Sequence, residues 1–64
     1  MLWYKLNDYW WVDMAQVREF GISLDKKKII LVYKDGHDAP YTVVNAEKVL
    51  ADLADFMNFG RWED

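Results

Sequence analysis

The 64-residue chain has no cysteine, a single proline, a single histidine and only three glycines. Without thiols, disulfide staples and thiolate metal sites are excluded, which suits a reducing compartment. The glycines are scattered, so no phosphate-cradling loop is present. Positive charge is also in deficit, with 8 Lys and Arg against 11 Asp and Glu and a formal net charge of -3. That balance disfavours contact along a phosphate backbone, yet it is too small to imitate a nucleic acid. No apolar run reaches the length of a signal core or a membrane span. The expectation is a cytoplasmic protein with no membrane partner. Repeats, low-complexity tracts and linkers are missing as well.

Aromatic residues are plentiful: they make up 17% of the chain and include four tryptophans. A chain this short is one domain, 1–64, near the lower limit for independent folding. Its core yields roughly 3–5 kcal/mol net at best. Each buried aromatic removes about 150–250 Å² from water, so these side chains are its main resource.

Residues 2–6 read as a strand with Leu2, Tyr4 and Leu6 on one side and Trp3 and Lys5 on the other. Asn7-Asp8 marks a turn, and residues 9–12 return as the second strand of a hairpin. Asp13 is placed to cap a single helical turn. Over 17–24, Phe20, Ile22 and Leu24 alternate with Glu19, Gly21 and Ser23, the pattern of a half-buried strand. After the charged turn at 25–27, the segment "KIILVYK" is apolar on both sides, with Ile29, Leu31 and Tyr33 opposing Ile30 and Val32. Such a strand belongs at the centre of a sheet, covered on both faces. "DGHDAP" breaks the chain, and a short strand follows over 41–44. Pro40 fits only a strand start or an edge.

The remainder predicts one helix, capped by Asn45, with Glu47 in its first turn and Gly60 as its stop. Ala46, Val49, Leu50, Leu53, Ala54 and Met57 form one apolar stripe, widened by Phe56. Lys48, Asp52, Asp55 and Asn58 keep to the other side. The expected fold is therefore α+β, a small curled antiparallel sheet of four to five strands with one C-terminal helix packed on one face.

A single helix shields one face only, and "YWW" at 9–11 puts large aromatics on both. This implies a second apolar surface that either closes into a small barrel or meets a partner. The expected contact surface lies away from Leu50 and Leu53. It includes Trp3, Trp10 and Val32, with Tyr9 and Trp11 replacing Trp10 if the strand register is inverted. The partner-binding candidates are Trp3, Trp10, Trp11, Ile30, Val32 and Trp62.

Chemistry has little support. Asp35, His37 and Asp38 resemble metal donors, but three residues in a turn with no fourth ligand read better as turn chemistry. Asp52 and Asp55 lie on a solvated helix face rather than in a pocket that would tune a catalytic pair. No catalytic residue, metal site or cofactor is expected. The functional reading is a non-enzymatic protein-binding or regulatory module, such as a phage or bacterial accessory or inhibitor protein, acting on another protein or on itself as a homodimer. The alternative is a nucleic-acid-binding domain that uses aromatic stacking and the Lys26–Lys28 edge together with Lys34 and Tyr33.

Overall fold

The computed structural model describes residues 1–57. Five strands precede one helix: β1 (Trp3–Lys5), β2 (Trp11–Asp13), β3 (Val17–Ile22), β4 (Lys28–Tyr33), β5 (Asp38–Thr42) and α1 (Ala46–Met57). A 3-10 turn, Met14–Gln16, joins β2 to β3. The α+β class, the antiparallel pairing and the C-terminal helix are as the sequence predicts. The strands divide into two sheets, a β1–β2 ribbon and a three-stranded sheet in the order β3-β4-β5.

The division originates at Asp13. Its carboxylate accepts from the Leu2 N–H at 2.9 Å and from the Ala15 N–H at 3.1 Å. One side chain thereby closes the ribbon and caps the 3-10 turn. The chain bends there, burying Met14, and β3 departs to pair with β4 instead of continuing the ribbon.

As predicted, β4 is the central strand. Ile29 and Leu31 are fully buried, and cross-strand pairing places Phe20, Ile22, Ala39 and Tyr41 beside them on one face. Both the helix and the ribbon lie on this face. The helix contacts β3 and β4, while the hairpin loop reaches β5 through Asn7 and Trp10. Leu6, Val12, Met14, Val17, Val43, Ala46 and Leu53 complete the core. Ile30 and Val32 point the other way and are half-buried, so the covering of both faces expected for β4 holds on one face only.

The hairpin strands, expected over 2–6 and 9–12, span Trp3–Lys5 and Trp11–Asp13, and three further strand expectations shift. A bulge between Val17 and Glu19 leaves Arg18 and Glu19 both exposed, interrupting the alternation. Leu24, predicted inward, is fully exposed because the strand ends at Ile22. The Ser23 N–H donates to the Lys28 carbonyl there, closing a loop in which Lys26 adopts a left-handed φ of 62°. The last strand begins at Asp38 rather than Tyr41 and stops before Val43. Pro40 sits inside it yet breaks no ladder bond. The Tyr33 N–H donates to His37 and the Val43 N–H to Lys27, so antiparallel alternation turns the Pro40 nitrogen toward the free edge.

The helix follows its pattern. The Asn45 side chain accepts from the Lys48 N–H at 3.2 Å, and Ala46 and Leu53 are buried while Val49, Leu50 and Met57 flank them. Asn58, Gly60 and Trp62, which the sequence assigns to the solvated face, the helix stop and the partner set, lie outside the described residues. No helix among the described residues is long and apolar enough to cross a membrane.

Candidate functional site

The ribbon register decides where the aromatics go. Tyr4 pairs with Val12 on the inner face, and Tyr4 packs on Phe56 of α1 with ring centroids 5.1 Å apart. Trp3 pairs with Asp13 and Lys5 with Trp11, so Trp3, Lys5 and Trp11 share the outward face. Trp3 is 53% exposed and Trp11 60%. Lys5 forms no ion pair among the described residues, whereas Lys26 reaches Glu47 and Lys48 reaches Asp52.

Trp10 does not join them. It precedes β2 and meets Tyr41 edge-on at 6.0 Å, on the inner side, although 55% of it remains exposed. The expected grouping of Trp3 with Trp10 therefore changes, and Trp3 keeps company with Trp11. Val32 and Ile30 belong to the other sheet. There Ile30 lies between Gly21 and Pro40, and Val32 between Glu19 and Asp38. That face is a narrow apolar strip with charged neighbours, separate from the ribbon's outward face.

Two polar groupings resolve into structural roles. The Asp35 carboxylate accepts from the His37 N–H at 3.1 Å and lies 2.6 Å from the His37 Nδ1. These bonds, the backbone one first, hold the Asp35 carboxyl below its usual range. The imidazole stacks on Tyr33 at 4.6 Å, and Gly36 supplies the left-handed φ of 99° that the turn requires. No group of three or more metal-type donors occurs among the described residues. Lys28 begins β4 and Tyr33 ends it, so the Lys26–Lys28 edge and that aromatic stand at opposite ends of the strand. Tyr33 turns inward, its hydroxyl 3.2 Å from that of Tyr41, and burial is the first cause that pushes its pKa up to about 12.

A second surface was not anticipated from the sequence. A groove of about 500 Å³ lies between the hairpin loop, the segment joining β5 to α1, and the first turns of the helix. Asn7 holds one wall in place. Its Oδ1 accepts from the Tyr9 and Trp10 N–H groups, both at 2.9 Å, and its Nδ2 donates to the Thr42 carbonyl at 2.9 Å. The turn signal at Asn7-Asp8 and the cap at Asn45 mark two of its walls in the sequence, but only the tertiary fold brings them together.

The chain matches no protein-family model, and comparison with curated proteins and with solved structures finds no match either.

Proposed function

We propose that the protein is a non-enzymatic protein-binding module, of the accessory or inhibitor kind, that docks through the outward face of its N-terminal ribbon. The observation that carries this reading is the placement of Trp3 and Trp11, each more than half exposed, on one face of a paired ribbon, with Lys5 opposite Trp11. Indole is a strong contributor to protein interfaces, and here it is held on regular structure, so little ordering entropy remains to be lost on binding. The ribbon is fastened at one end by Asp13 and at the other by Asn7.

A second copy is the simplest partner, giving a two-fold dimer, and sedimentation equilibrium distinguishes that case from a different protein. The lack of cysteine accords with a cytoplasmic setting. The test is Trp3→Ala with Trp11→Ala. The double variant should keep its circular dichroism spectrum and lose the partner. Retention of the partner by a folded double variant would refute the reading.

A further inference from the structure

We infer that the groove beside Asn7 is a separate binding site for a partner segment that carries an aliphatic side chain next to arginine or lysine. Its floor is apolar, formed by Leu6, Val43 and Val49. Leu6 and Val43 are buried core residues whose outer surfaces the groove reaches, so an aliphatic side chain entering it extends the existing core.

The rim selects charge. Lys48 binds Asp52 at 3.0 Å, so that carboxylate is already compensated. Asp8, on the opposite wall, has no hydrogen-bond or ion-pair partner among the described residues. With two carboxylates and one ammonium, the rim has one uncompensated negative charge. Tyr9 stands next to it, 87% exposed, with its ring available to a cation. A free carboxylate beside an open aromatic ring suits a guanidinium or ammonium, and an acidic segment would meet repulsion.

Asp8, Tyr9 and their groove are independent of the ribbon's outward face, so this site stands or falls apart from the docking reading above. The test is amide chemical-shift mapping on ¹⁵N-labelled protein with two probes, N-acetyl-Leu-Arg-amide and N-acetyl-Leu-Glu-amide. The arginine probe should shift residues 7–9, 42–45 and 48–49 saturably below about 10 mM, a weak affinity suited to two residues. The glutamate probe should bind at least about tenfold more weakly. Asp8→Lys should abolish that preference, while Trp3→Ala with Trp11→Ala should leave it unchanged. Asp8 forms no intramolecular bond, so its variant should stay folded. Equal response to both probes, no saturable shift with either, or a preference that survives Asp8→Lys would each overturn the assignment.

Discussion

Asn7 donates its side-chain N–H to the Thr42 carbonyl at 2.9 Å, joining the hairpin loop to the edge strand of the other sheet. The same side chain accepts two backbone N–H groups of its own loop. Asn7→Ala removes all three bonds. At about 0.5–1.5 kcal/mol net each in general, with these near the surface and at the low end, the loss should be roughly 1–3 kcal/mol. That corresponds to a fall in Tm of at least about 4 °C in a domain this size. Asn7→Asp keeps the acceptor but not the donor and faces a carbonyl with a carboxylate, so it should also be destabilised. Differential scanning calorimetry measures both.

The elements legible in the sequence were those set by local pattern. The alternation of Ile29 and Leu31 with Ile30 and Val32, and the helical stripe from Ala46 to Met57, each follow from side-chain period alone. The misread features depend on pairing across the chain. Leu24 follows the alternation of β3, yet the Ser23–Lys28 bond ends the strand before it. Trp10 lies one residue before β2 begins, so its environment is set by Tyr41, 31 positions away. The companionship of Trp3 with Trp11 follows from register, which the turn at Asn7 establishes and periodicity does not reveal. The groove has no contiguous sequence signature, because its walls come from three segments.

Gly21 lies inside β3 opposite Ile30, and a Cβ built there would meet nothing within 4 Å. Glycine gains nothing from a close approach at this position and carries the entropy of a flexible chain. Gly21→Val should stabilise the protein by about 0.5–1 kcal/mol, adding cover to Ile30 and strand propensity. Urea denaturation with an unchanged m-value would verify it.

Asp13 provides an acid-sensitive fastening. The Leu2 N–H is the first cause that lowers its pKa. A carboxyl with a depressed folded pKa contributes stability above its unfolded value of 3.8, and that contribution disappears as pH falls through the folded value. Asp13→Asn keeps an acceptor oxygen without the titration. Its stability should therefore fall less than that of the wild type as pH drops below about 4, as followed by circular dichroism melts.

Tyr33 imposes the opposite limit. Its pKa is raised from 10.0 to about 12, first by burial and then by the Tyr41 hydroxyl. The neutral phenol favours the folded state below 10.0, and this stability is lost as pH rises from there through about 12. Tyr33→Phe should flatten the alkaline limb of the stability curve. Tyr4 is also raised, so phenolate absorbance should show two late-titrating tyrosines in the folded wild type and one in the variant.

The outward ribbon face is the surface proposed to make the contact. Its most direct test is quantitative affinity capture from the source lysate, comparing wild type with the folded Trp3→Ala, Trp11→Ala double variant. An unlabelled copy of the chain is included among the possible partners. At least one saturable partner should be depleted about tenfold or more by the double variant, and not by Gly21→Val on the other sheet. Identical retained proteins, in identical amounts, for wild type and double variant would contradict it.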